Sequence, residues 1–246
     1  MPAVTTVTGM VLSAMPVGDY DKRLVILTRE HGKISAFAKG ARRPNSALLA
    51  CSQPFSFGLF SLFTGRTSYT VTSAEISNYF PELREDIESV YYGMYFCEFA
   101  DYITKENNDE KEILKLLYQT LRAVTKRTIE LPLIRLVFEN KIMALSGVAP
   151  QVYNCVKCEK AEADYFFSVY SGGLLCEDCK MNDNSAIKLC TSSVYTLQYI
   201  ISKDVENLYT FRVSQEVLSE LEVVIKRYLN HYLNHEFKST ELLRSL

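Results

Sequence analysis

The stretch RLVILTREHGKISAFAKGARRPNS, Arg23 to Ser46, decides how the front of the chain folds. Arg23 to Thr28 is a short apolar run that breaks at Glu30-His31-Gly32, the composition of a hairpin turn. Lys33 to Lys39 then alternates. Side chains of a strand switch sides at every residue, so Ile34, Ala36 and Ala38 share one face while Lys33, Ser35, Phe37 and Lys39 share the other. The outward face of this hairpin is thus basic and aromatic. Gly40 to Ser46 contains Pro44 and reads as a loop carrying Arg42 and Arg43.

Working outward, Val4 to Val17 is rich in Thr, Val and Met and ends in the turn-like Pro16-Val17-Gly18-Asp19. Cys51 to Phe63 and, past Thr64-Gly65, Ser68 to Ser77 complete the strands. Five strands within residues 1–80 suit a small closed barrel and match the strand count of an oligonucleotide-binding fold. From Pro81 the period changes from two to three and four. Val90, Tyr91, Met94, Tyr95 and Phe99 form one helical face, and further helices are expected over Glu110 to Val124, Pro132 to Ser146, Ser192 to Ser202 and Val217 to Tyr232. The expected division is a barrel domain over 1–80 and an α-helical domain over 81–246, an α+β multidomain chain.

The chain has 246 residues, 48% hydrophobic and 23% charged, a composition that supports a globular fold rather than disorder. No run approaches the roughly 18 apolar residues of a membrane span, and the first basic residue is Lys22, so a soluble cytoplasmic protein is expected. Neither a phosphate-binding G-x-x-x-x-G-K-[ST] loop nor a G-x-G-x-x-G fingerprint occurs, which argues against nucleotide-driven chemistry. The net charge of −2 hides a skew, +4 through residue 80 and −6 beyond it. A basic front on an acidic remainder suggests a polyanion-binding module joined to a part with another task.

Four of the seven cysteines form Cys155-x2-Cys158 and Cys176-x2-Cys179, separated by 17 residues. This is zinc-ligand spacing, in which each pair sits on a tight turn and offers two thiolates to one tetrahedral ion. Asp164 to Val169 followed by Gly172-Gly173 reads as a hairpin between the pairs, so a zinc ribbon is expected at about 151–188. Four sulfur ligands close the coordination sphere and predict one structural Zn2+ rather than a hydrolytic one. Disulfides and dithiol redox chemistry are the competing readings; the first needs an oxidising compartment and the second a βαβ setting that the pattern lacks. Cys51, Cys97 and Cys190 read as small buried hydrophobes. His231 and His235 are four apart, but no Glu follows His231, so the metalloprotease motif fails and no catalytic constellation is found. His31 reads as a turn residue.

Lys33 to Ser46 supplies cations and one aromatic on a strand, then two guanidinium groups on a restrained loop. Such a surface suits single-stranded nucleic acid, whose phosphates are neutralised by Lys and Arg while bases stack on aromatic rings. The sequence also resembles the RecO recombination-mediator family of bacterial DNA repair. The matching pieces are Gly18-Asp19-Tyr20-Asp21-Lys22, Leu27 to Ile34, Lys39-Gly40-Ala41-Arg42-Arg43, Ser146 to Pro150 leading to Cys155 and Cys158, then Phe167-Ser168 and Gly172 to Cys176. They recur in order from the first strand to the second cysteine pair.

The resemblance implies an N-terminal oligonucleotide-binding barrel, a helical C-terminal domain and a zinc ribbon. It implies a non-enzymatic protein that binds single- and double-stranded DNA, anneals complementary strands and acts with RecR to load RecA onto DNA coated by single-strand-binding protein, in the cytoplasm at the nucleoid. Lys33, Lys39, Arg42 and Arg43 match the family's basic DNA-contacting face. Strand geometry adds Phe37, Arg66 and Tyr69. The acidic remainder shows no extended basic path, and no motif marks a pocket for the tail of single-strand-binding protein. The alternative is a zinc-ribbon protein–protein adaptor with little intrinsic DNA affinity.

Overall fold

In the computed structural model, which describes residues 4–65 and 68–245, the alternation seen from Lys33 extends around a closed barrel. Its strands are β1 (Val4–Val17), β2 (Asp21–Thr28), β3 (Gly32–Ala38), β4 (Phe57–Thr64) and β5 (Tyr69–Asn78). They close in the order β1-β2-β3-β5-β4. All neighbours are antiparallel except β3 and β5, which meet in parallel at Ala36–Tyr69 and Phe37–Thr70. This is the five-stranded barrel of the oligonucleotide-binding class. Val7, Val11, Leu24, Ile26, Ile34, Ala36, Phe60, Leu62 and Val71 fill its interior. Strand β3 alternates buried and half-buried residue by residue, as its pattern predicts.

The strand expected from Cys51 begins only at Phe57. Pro54 has no N–H for a ladder, and Phe55 takes a left-handed φ of 71°. Residues 47–56 instead run in turns, with the Ser52 amide donating to the Leu48 carbonyl at 3.1 Å and the Phe55 amide to that of Val11 at 2.9 Å. Cys51, where the strand was expected to start, packs with Leu48 against the barrel core.

Pro81 opens a short 3-10 turn rather than the helix itself. Helix α1 (Ile87–Ile103) starts at Asp86, whose carboxylate accepts from the Ser89 amide at 2.9 Å. Helix α2 (Lys111–Lys126) presents Ile113, Leu114, Leu117, Leu121 and Val124 on its buried face. The barrel, α1 and α2 form one compact unit with the C-terminal residues 237–246. There Phe237 packs among Tyr95, Phe99 and Tyr102, and Glu98 accepts from the Lys238 and Ser239 amides at 2.9 Å.

A second compact unit spans 127–236. It holds α3 (Leu131–Leu145), β6 (Tyr165–Ser168), β7 (Gly173–Cys176), the single turn α4 (Glu177–Lys180), β8 (Ile187–Lys188), α5 (Thr191–Ser202) and α6 (Gln215–Leu233). The last short helix, α7 (Ser239–Arg244), belongs to the first unit. Helix α6 is capped by the Ser214 hydroxyl and ends at Asn234 in the left-handed conformation. Among the described residues, no helix is long and apolar enough to cross a membrane.

Candidate nucleic-acid face and metal centre

Strands β2 and β3 place Arg23 directly opposite Phe37 on the outer surface of the barrel. The Arg23 Nε donates to Ser35 Oγ at 2.8 Å, which fixes the guanidinium against the strand. The parallel closure sets Tyr69 beside Ala36 and so next to Phe37, and His31 stacks on Tyr69 with ring centres 6.3 Å apart. Arg23, Ser35, Phe37, Tyr69, Thr64, Ser68 and Glu106 surround an open cleft of about 550 Å³. It combines aromatic walls, a cation and hydroxyls with one carboxylate, Glu106. The first three are the groups that hold a flexible polyanion with exposed bases.

The basic residues of the loop after β3 have different surroundings. Lys39 is exposed and has no ion-pair partner among the described residues. Arg42 donates through Nη1 to the Gly18 and Asp19 carbonyls at 3.1 Å each, tying this loop to the β1–β2 turn. The Gly40 amide adds a bond to Asp21 Oδ1 at 2.7 Å. Arg43 lies over the exposed ring of Tyr20, 5.1 Å from its centre. Lys33 is engaged elsewhere: its Nζ is 2.9 Å from Asp101 Oδ1 on α1. Lys22 turns toward the loop, donating to Ser52, and burial lowers its pKa, with Arg42 adding to the decrease. Arg66 lies outside the described residues. Arg23, Tyr20 and Glu106 were not singled out by the sequence; the β2–β3 register is the signal that could have found Arg23.

The second site is built by the ribbon. The first cysteine pair sits on a tight turn in which the Cys155 amide donates to the Lys160 carbonyl at 3.0 Å and the Glu159 amide to that of Cys155 at 2.9 Å. The second pair lies at the end of β7 and in α4. Strands β6 and β7 pair from Tyr165–Cys176 to Ser168–Gly173 and bring the two pairs together. A Cβ on Gly173 would stand 2.2 Å from the Gln151 carbonyl, so only glycine lets the incoming chain cross β7 here.

All four sulfurs lie within 4.8 Å of one another, with Cys158 and Cys176 at 3.6 Å. A tetrahedral ion with bonds of about 2.3 Å sets its sulfurs about 3.8 Å apart, so the cluster fits a metal ion. Burial opposes ionisation of Cys155, but amides of Cys176, Cys158 and Lys157 outweigh it and bring this thiol down to about 6. Bonds from Cys158 and Cys176 push Cys179 up to about 12. Several thiolates at this separation need a cation between them.

The sequence family described as Recombination protein O N terminal matches residues 1–80, and Recombination protein O C terminal matches residues 84–241. The chain belongs to the RecO family. The DNA repair protein RecO of Alkaliphilus metalliredigens is 38% identical over 240 residues, covering 97% of this chain and 98% of that one. That of Acetivibrio thermocellus is 34% identical over 241 residues, covering 97% and 96%. That of Symbiobacterium thermophilum is 32% identical over 250 residues, covering 99% and 98%. RecO membership supports a role in DNA repair and recombination; the barrel falls in the N-terminal RecO region, and the four cysteines and the cleft residue Glu106 fall in the C-terminal one.

Proposed function

We propose that the chain is a non-enzymatic recombination mediator that binds single- and double-stranded DNA on the outer face of β2 and β3 and anneals complementary strands. With RecR it loads RecA onto DNA coated by single-strand-binding protein, in the cytoplasm at the nucleoid. The observation that carries the reading is the aromatic cleft at Arg23, Phe37 and Tyr69, continuous along β3 with exposed Lys39 and the Arg42–Arg43 loop. Phosphates would follow the cations while bases stack on Phe37 and Tyr69, each stack contributing about 1–3 kcal/mol. Lys33 and Arg66 complete the proposed DNA-binding set, Lys33 with its charge partly offset by Asp101. The functional division falls at residue 80, with the helical part handling protein partners.

The ion held by Cys155, Cys158, Cys176 and Cys179 is proposed to be one structural Zn2+. Soft thiolates select zinc among the available divalent ions, and a closed sulfur shell leaves no position for a reacting water. The zinc would stabilise the ribbon fold and take no part in bond making.

Annealing of two complementary labelled oligonucleotides, followed by energy transfer, tests this function. The chain should accelerate pairing of bare strands and of strands coated with single-strand-binding protein. No acceleration, together with tight binding of a protein partner, would favour the adaptor reading, which the excess of acidic residues beyond residue 80 otherwise supports.

A further inference from the structure

The cleft on the barrel holds one group that a simple polyanion channel would exclude. Glu106 lines it, opposite in charge to Arg23. Its carboxylate is exposed and makes no hydrogen bond or ion pair among the described residues. Nor is it there by accident of a loose loop. Glu106 bridges to Gly32 across the tip of the β2–β3 hairpin, the Lys33 amide donates to the Lys105 carbonyl at 3.1 Å, and the Asn107 amide to that of His31 at 2.9 Å. Gly32 has φ +63°, and a Cβ there would stand 2.4 Å from the Lys105 carbonyl. The 105–107 segment is therefore stitched onto the hairpin as a fixed wall of the cleft.

The carboxylate carried on this wall repels phosphate and accepts hydrogen bonds, so it favours donors on a bound base. Among the described residues, Arg23 engages only its Nε, with Ser35, which leaves both Nη groups for a ligand. The cleft thus offers a fork of donors, an acceptor pair and two aromatic rings, Phe37 and Tyr69. Guanine complements these groups best: O6 and N7 accept from an arginine fork, the adjacent N1–H and N2 amine donate to both oxygens of a carboxylate, and its flat faces stack, whereas cytosine and adenine offer the carboxylate a single amine. Thymine offers one donor only.

We propose that this cleft is a base-reading pocket that prefers guanine in single-stranded DNA, with Glu106 as the specificity-determining residue. The inference rests on the proposed DNA-binding face and adds a sequence preference to it. Glu106 would reject phosphate from the cleft and direct the backbone along the Lys39 side.

Fluorescence anisotropy with labelled oligothymidine tests it, beside the same oligomer carrying a single central guanine or a single hypoxanthine, which lacks the N2 amine. The full-length protein should bind the guanine oligomer about fivefold or more tightly than the other two, the size of one good bidentate contact. Glu106→Gln should bind oligothymidine as well as the parent or better and lose the discrimination between guanine and hypoxanthine. Equal affinity of the parent protein for all three oligomers overturns the guanine pocket while leaving the DNA-binding face intact. Discrimination that survives in Glu106→Gln overturns the role of Glu106. Binding of none of them, even at low salt, overturns the DNA-binding face and the pocket with it.

Discussion

Lys33 and Lys39 flank the same strand, and the alternation of residues 33–39 makes them look equivalent. Their partners separate them. Lys33 is held by Asp101, 68 residues away in sequence and on another element, a contact no local pattern discloses. Lys39 is exposed and has no ion-pair partner among the described residues. Lys39→Ala should therefore reduce the magnitude of the logarithmic salt slope of single-stranded DNA binding by about 0.7, the value of one lost phosphate contact. Lys33→Ala should flatten that slope by less than Lys39→Ala does, because Asp101 already offsets part of its charge, and should cost about 0–1 kcal/mol of stability, as expected of a partly exposed ion pair. Binding isotherms at several salt concentrations, with a urea melt of each variant, check both. Gly32→Ala meets both a left-handed φ and the Lys105 carbonyl, so it should lower the urea midpoint by an amount equivalent to about 1–3 kcal/mol at unchanged slope. An unshifted midpoint would mean that the 105–107 wall does not rest on the hairpin.

At the scale of elements, what could be read from the sequence is what depends on neighbours in the chain. The two-residue period of β3, the three-and-four period of α6, and the two cysteine pairs with their intervening hairpin all needed only short windows. The face expected on α1 is displaced: Tyr92, Tyr95, Phe96 and Phe99 are buried while Met94 is exposed, because this helix is apolar nearly all round and its period does not choose a side. The start of β4 did not yield to this reading. Leu48, Cys51 and Phe55 are as apolar as a strand, but they close onto the barrel through turns that Pro54 and the left-handed Phe55 impose. Arg23 was passed over because its role comes from its register partner Phe37 and from the parallel closure at Tyr69, both long-range. The ribbon carries a direct chemical prediction. Cys190, expected to be buried, is exposed at the start of α5, so with metal bound a thiol reagent at neutral pH should react with it and spare the four ligands. Chelator should release four further thiols and melt the ribbon, since metal binding and ribbon folding are coupled. Cys51 and Cys97 should react only after unfolding, because burial pushes both thiols up. Five reactive thiols in untreated protein would contradict metal ligation.

At the scale of the molecule, the charge is divided as the proposed tasks are, +4 through residue 80 and −6 beyond. An acidic remainder does not attract DNA, so the affinity should be confined to the barrel and fall steeply with salt. The most direct measurement is anisotropy of a labelled single-stranded oligonucleotide across a salt series, comparing the parent protein with the Lys39→Ala, Arg42→Ala, Arg43→Ala triple variant, each first confirmed to be folded by its thermal melt. The account predicts salt-dependent binding by the parent, with weaker binding and a flatter slope in the folded variant. An identical slope in the two proteins would contradict it and remove Lys39, Arg42 and Arg43 from the DNA site.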